Sequence, residues 1–99
     1  MVESNDPLLI RPAITELERA LDRDREDDDT WHLLGTAWGR AGDLGQANLA
    51  LAEEAMIDHD IPMARRFARE AEKHLSPGTA KLRAQDIANA VKKENRPPK

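Results

Sequence analysis

The residues able to do chemistry are few and scattered. His32, His59 and His74 share no i, i+4 spacing, so the helical two-histidine zinc pattern is missing. There is no cysteine, which excludes disulfides, thiolate metal sites and cysteine nucleophiles together. Asp22, Asp24 and Glu26 fall at positions one, three and five of a calcium-loop pattern. The sixth position is Asp27 where glycine is needed, and the twelfth is Leu33 where a bidentate glutamate belongs. The stretch reads better as a solvated connector that caps a helix. Glu53 and Glu54 suggest paired carboxylates for acid–base work, but neighbours on a helix point about 100° apart and do not converge. They read as solvated face. No Ser/His/Asp set has a convincing context. The chain itself is expected to be non-catalytic, with no cofactor and no metal.

Arginine is the sharper signal. Arg65 and Arg69 are i, i+4, with Arg66 between them and Arg40 further back. Guanidinium groups lining a groove can hold a carboxylate or an acidic peptide bidentately. The competing reading is a charged outer face with intrahelical pairs such as Arg66–Glu70 and Arg69–Glu72, each worth a few tenths of a kcal/mol.

Elements must position these groups, and the composition says which. The chain has 99 residues, 39% hydrophobic, 34% charged and 3% aromatic. One small domain of slim, closely approaching helices fits this; a β-sandwich would need more aromatic and β-branched runs. The net charge of −4 gives no sign of a nucleic-acid partner. No apolar run approaches a membrane span, and Met1 to Asp6 lacks the basic and apolar regions of a signal peptide.

Residues 1–11 read as an extended lead-in, with Pro12 at a first helical turn. A first helix over about 12–24 then carries Ala13, Leu17, Ala20 and Leu21 on one face. Asp28, Asp29 or Thr30 can cap a second helix, whose face is Trp31, Leu34, Gly35, Trp38 and Gly42. Gly42-Asp43 is a stop and restart signal. A third helix shows Ala47, Leu51, Ala52 and Ala55, and ends at His59-Asp60-Ile61-Pro62. A fourth aligns Ala64, Phe67, Ala68, Ala71 and Leu75. After Ser76-Pro77-Gly78, a fifth over roughly 79–93 buries Ala80, Ala84, Ile87 and Val91. The expected architecture is all-α: about five helices in antiparallel hairpins over 12–93, then a disordered tail over 94–99.

Ala13 to Ala47 and Leu17 to Leu51 repeat at an offset of 34 residues, the tetratricopeptide period. The repeat signature W-x2-L-G-x2-Y is met by Trp31, Leu34 and Gly35, with Trp38 in place of tyrosine, and Ala47 and Leu51 continue it. Gly35 is then the bare spot where two helices cross, and the two indoles fill the space beside it. Gly39 lies off that face, relieving crowding or facing a ligand. A weaker echo follows at 17 residues: His59-Asp60 repeats Gly42-Asp43, so the chain reads as a helical ladder.

The runs LLGTAWGRAGDLGQANLALAEEAM and ARRFAREAEKHLSPGTAKLRAQDI resemble the C-terminal region of bacterial BepA-like zinc metalloproteases. The resemblance covers about residues 12–88 and leans on Ala50-Leu51-Ala52-Glu53, the Ser76-Pro77-Gly78 turn and Arg83-Ala84-Gln85-Asp86-Ile87. No HExxH is present, so no catalytic residue carries over, and the zinc would belong to the parent protease. The resemblance implies a tetratricopeptide array, the C-terminal part of a periplasmic zinc-dependent endopeptidase, that positions substrate or partner proteins. The alternative is a stand-alone cytoplasmic adaptor binding a peptide. The expected groove is His32, Thr36 and Arg40 with Arg65, Arg66 and Arg69. Arg83, Asp86 and Ile87 would dock onto the parent's protease domain, unless Arg83 and Asp86 pair along their own helix. An apolar patch is expected on a terminal helix, covered by that domain or, in the isolated chain, by a second copy.

Overall fold

Residues 7–91 are described by the computed structural model of the chain. They form five α-helices: α1 (Pro7–Arg23), α2 (Asp28–Arg40), α3 (Leu44–Ile57), α4 (Ile61–His74) and α5 (Thr79–Ala88). No strand occurs among the described residues. Consecutive helices pack in hairpin fashion, and the array is elongated, about 53 × 26 × 21 Å. α1 reaches only α2. The one next-but-one approach joins α3 to α5.

The first helix starts earlier than its sequence suggests. Residues 7–11 are helical rather than an extended lead-in, and Pro12 sits inside α1. Its lost N–H is outweighed by apolar positions on both sides of it: Ile10, Ile14 and Leu21 are buried and Leu17 is half-buried, at i, i+4, i+7 and i+11. Of the expected face, Leu17, Ala20 and Leu21 face inward, but Ala13 is exposed and Ile10 and Ile14 are buried instead. Residues 1–6 and the expected tail over 94–99 lie outside the described residues.

α2 is capped by Asp27, not by Asp28, Asp29 or Thr30. The Asp27 side chain accepts from the Thr30 N–H at 3.3 Å, and Asp28 and Asp29 sit in the first turn, where the helix dipole favours them. Trp31, Leu34 and Gly35 are buried and Trp38 is half-buried. A Cβ built on Gly35 would stand 3.0 Å from Leu51 Cδ2 and 3.3 Å from the Ala47 carbonyl oxygen. Gly35 is thus the hole through which α2 meets α3, and what fills it is Leu51. Gly39 is exposed, with nothing within 4 Å of such a Cβ, so it relieves no crowding.

The turns at 41–43 and 58–60 are built alike. Gly42 and His59 both take positive φ, +86° and +62°. The next N–H, of Asp43 or Asp60, donates back to Trp38 O at 3.0 Å or Ala55 O at 2.9 Å. Each aspartate then caps the following helix, accepting from Gln46 N or Met63 N. Each helix end and the next helix start are thereby satisfied within three residues. Pro62 occupies the first turn of α4, where its missing donor is harmless.

α3 is the shared wall. Gly45, Ala47, Leu49, Ala50, Ala52, Glu53 and Ala55 are all buried. Ala50 belongs to a core with Ile10, Ile14, Leu21, Trp31 and Leu34. Leu49, Ala52 and Ala55 join Ala64, Ala68, Ala71, Ala84 and Ile87 in a second core. Alanine predominates in that second core because small side chains let α4 and α5 come close. The fifth helix ends at Ala88 rather than near 93, with Asn89 and Ala90 donating back to Gln85 O and Ile87 O. Val91, expected in the core, is exposed.

Candidate functional site

Placed over α3, a cleft opens between the α1–α2 hairpin on one side and the start of α5 on the other. Its floor comes from α3: Gln46, Leu49, Ala50 and Glu53 at i, i+3, i+4 and i+7. Trp31, Leu34 and Trp38 of α2 flank the floor. One wall is Glu18, Leu21 and Asp22 of α1 with Arg25 from the following turn, and the other is Thr79, Ala80 and Arg83 of α5. This part holds about 360 Å³. A second pocket of about 440 Å³ adjoins it, sharing Arg25, Trp31, Glu53 and Arg83 and adding Glu26, Met56, Ile57 and His59.

At the centre, Arg83 donates from Nε and Nη2 to the two oxygens of Glu53, at 2.7 and 2.8 Å. Glu53 is 8% exposed, whereas the Arg83 side chain is 46% exposed. The contact with Glu53 raises the Arg83 pKa further above its ordinary range, opposed in part by burial and helped by nearby Asp86. Beside this pair, the Trp31 indole N–H donates to the Arg25 carbonyl at 2.9 Å, and the Arg25 guanidinium lies 5.3 Å from the Trp31 ring centroid. Arg11 stacks on Trp38 in the same manner, at 5.5 Å. Cations over indole faces are attracted by the ring quadrupole.

Two expectations are corrected here. Glu53 is not solvated face; it is buried and gripped by α5. Ile87, 1% exposed, is sealed in the second core and is not turned outward for docking, while Arg83, still partly exposed, reaches α3. Asp86 and Arg83 are exposed, and of the three only Ile87 is sealed. The signal for Glu53 was present in its spacing, since it lies three and four residues beyond the buried Ala50 and Leu49. Arg25 and Arg11 carried no such signal, because cation–indole stacking follows no fixed spacing.

The expected arginine groove does not assemble as one cleft. Thr36 and Arg40 line a separate groove of about 460 Å³ between α1 and α2, with Leu9, Ile10, Ala13, Glu16, Leu17, Leu33 and Ala37. Arg65, Arg66 and Arg69 are not among its lining residues. His32 faces Glu54 instead, with Nδ1 3.0 Å from Oε1, and the Thr36 hydroxyl donates to the His32 carbonyl. On α4, Glu70 is taken by Lys73 and His74, both at 3.3 Å, rather than by Arg66. Hydrogen bonds from Lys73 and then His74 lower the Glu70 pKa, with Lys73 the larger influence.

The acidic connector behaves as a set of caps. Asp24 accepts from the Glu26 N–H at 3.0 Å, and Asp27 caps α2. Asp27, Asp28 and Asp29 bring carboxylate oxygens within 4.8 Å of one another, as consecutive aspartates at an exposed helix start do. Asp28 also meets Asp58 from the end of α3. Their shared hydrogen bond raises the Asp58 pKa, and the nearby negative charges of Asp28, Glu54 and Asp29 push the same way.

Compared with known protein families, with curated proteins and with solved structures, the chain matches none.

Proposed function

We propose that the chain is a non-catalytic protein-interaction module of the tetratricopeptide kind, which takes a peptide segment of a partner protein in the cleft over α3. The observation that carries this reading is the merging of two pockets around Arg25, Trp31, Glu53 and Arg83. A shape-fixing ion pair and an indole at the centre of a continuous concave surface suit recognition of an extended chain. At its centre the charged side chains are engaged, Arg83 with Glu53 and Arg25 with the Trp31 ring. Neither His32–Glu54 nor His74–Glu70 lies in that cleft.

The test is selection of peptides from a random display library against the whole chain, with the bound region mapped by amide exchange. Protection of Trp31, Glu53 and Arg83 by selected peptides supports the reading. Selection of no peptide, or protection elsewhere, overturns it.

A second reading adds that the module is the C-terminal part of a periplasmic zinc-dependent metalloendopeptidase. One observation favours a covering domain of some kind. Leu9 and Leu33, 58% and 54% exposed, lie along the groove on the outer α1–α2 hairpin. A stacked array leaves such a face at its end, where the parent's protease domain or a second copy would bury it. An HExxH-bearing domain encoded in the same reading frame ahead of Met1 would support the protease parent; a stop codon there leaves the stand-alone adaptor. No helix among the described residues is long and apolar enough to cross a membrane.

A further inference from the structure

From the charges that line the cleft over α3, we infer that its ligand is a basic peptide segment, carrying arginine or lysine. This deepens the module reading and rests on it. The cleft's own cations are already committed: Arg83 to both oxygens of Glu53, and Arg25 to the face of Trp31. Its carboxylates divide differently. Glu53 is engaged, while Glu18 and Asp22, i, i+4 on α1, and Glu26 in the next turn are exposed along one wall. The charge left to meet a ligand is negative, on a chain whose net charge is −4.

The cleft also shows how it holds a cation. Arg25 is a guanidinium seated against an indole, and Arg83 is a guanidinium held in a carboxylate fork. Both belong to the protein, and both sit in the space the two pockets share. An incoming arginine finds the same chemistry on offer at Glu18, Asp22 and Glu26, with the Trp31 edge of the floor beneath its stem. An acidic peptide would face three carboxylates, with only the remaining donors of Arg83 and Arg25 to hold it against them. The opposite expectation, an acidic ligand held by Arg65, Arg66 and Arg69, loses its groove because those residues do not line the cleft.

The experiment titrates the full chain, followed by amide NMR, with a capped octapeptide of alternating alanine and arginine. Counterparts with serine or glutamate in place of arginine are run beside it. The arginine peptide is expected to shift the amides of Asp22, Arg25, Glu26, Trp31 and Arg83, to bind at least about tenfold more tightly than either counterpart, and to weaken as salt screens the exposed charges. The double variant Glu18→Gln with Asp22→Asn should lose about tenfold in affinity while keeping the wild-type melting curve. Glu16→Gln, the same change on a different face of α1, should lose nothing. Equal binding of the serine or glutamate peptide in the cleft would overturn the basic ligand and leave the module reading standing. No binding of the arginine peptide, shifts confined to other faces, or indifference to the double variant would also overturn it. Failure of the random library to yield any cleft binder would instead remove the module reading beneath it.

Discussion

Arg83 reaches from α5 to α3 and closes on Glu53 with two parallel hydrogen bonds, 2.7 and 2.8 Å long. It sits at the only place among the described residues where helices two apart in the chain meet. Arg83→Ala leaves an 8%-exposed carboxylate without its partner. Hydrogen bonds to charged groups are worth about 1.5–3 kcal/mol each in net terms. Because the Arg83 side chain is 46% exposed, water replaces part of the loss, and the expected cost is about 2 kcal/mol, below the 3–5 of a fully buried pair. The double variant Glu53→Ala with Arg83→Ala should cost less than the two singles summed, by about 1 kcal/mol or more. Urea unfolding of the four proteins measures this, and strict additivity would show that the fork contributes nothing. The raised pKa of Arg83 means its folded form holds the proton more tightly than the unfolded one. That stability is fully present below the ordinary arginine pKa, and so throughout the working pH range.

The two glycines of α2 should respond with opposite signs. At Gly35 a methyl group would press on Leu51 Cδ2 and Cγ at 3.0 and 3.1 Å, with the Ala47 carbonyl behind them. Leucine can yield a little; the backbone oxygen cannot without moving α3. Gly35→Ala is expected to destabilise by about 1–3 kcal/mol. At Gly39 nothing stands within 4 Å, and alanine removes the cost of glycine in a helix, so Gly39→Ala should stabilise by roughly 0.5–1 kcal/mol. Thermal melts of the pair decide it: two shifts of the same sign would contradict the assignment of Gly35 as the crossing point.

Helix number, order and turns were legible in the sequence because they rest on local signals: apolar period, capping aspartates, Gly42 and the prolines. The Gly35 crossing was legible for the same reason, through the tryptophan–leucine–glycine spacing. The start of α1 was misread because Pro12 looks like a helix start, and only the burial of Ile10 beyond it shows otherwise. A second close approach escaped notice altogether. A Cβ on Gly45 would lie 2.8 Å from Leu75 Cδ2, yet Leu75 is 30 positions away and no local pattern joins them. The cleft escaped for that reason too. Glu53 and Arg83 belong to different helices, and their meeting depends on how α5 folds back, which a helical period does not encode.

The matching turns at 41–43 and 58–60 differ at one residue. Gly42 takes its positive φ without steric cost, whereas His59 holds φ +62° with a side chain. A left-handed conformation costs an ordinary L-residue about 1–2 kcal/mol, part of which glycine returns as unfolded-state entropy. His59→Gly should therefore stabilise by roughly 0.5–1 kcal/mol. In the same turns, Asp43→Ala and Asp60→Ala each remove the acceptor for a helix-starting N–H and should cost about 1 kcal/mol. Guanidinium unfolding midpoints measure all three. A loss of stability in the His59→Gly variant would show that the imidazole does more than end α3.

Asp58 and Asp28 set a pH dependence of the less common sign. Asp58 follows the last turn of α3, and its carboxyl shares a hydrogen bond with Asp28 that only one proton between them can supply. Its pKa is raised above 3.8 in the folded chain, chiefly by that bond, with burial and the charges of Asp28, Glu54 and Asp29 adding to it. The folded state therefore keeps a proton that the unfolded state has already released. Stability from this group falls as pH rises from the unfolded value through the raised folded one, and stays low above it. Glu70 runs the other way, since Lys73 and His74 lower its pKa, and its contribution is lost as pH falls through the folded value. Asp58→Asn keeps a donor toward Asp28 and removes the repulsion, so the variant should be more stable than wild type at pH 7. It should lose that advantage at pH 3.5, where Asp58 carries its own proton. Urea midpoints at the two pH values separate the cases: an advantage that is equal at both, or larger in acid, would place the raised carboxyl elsewhere.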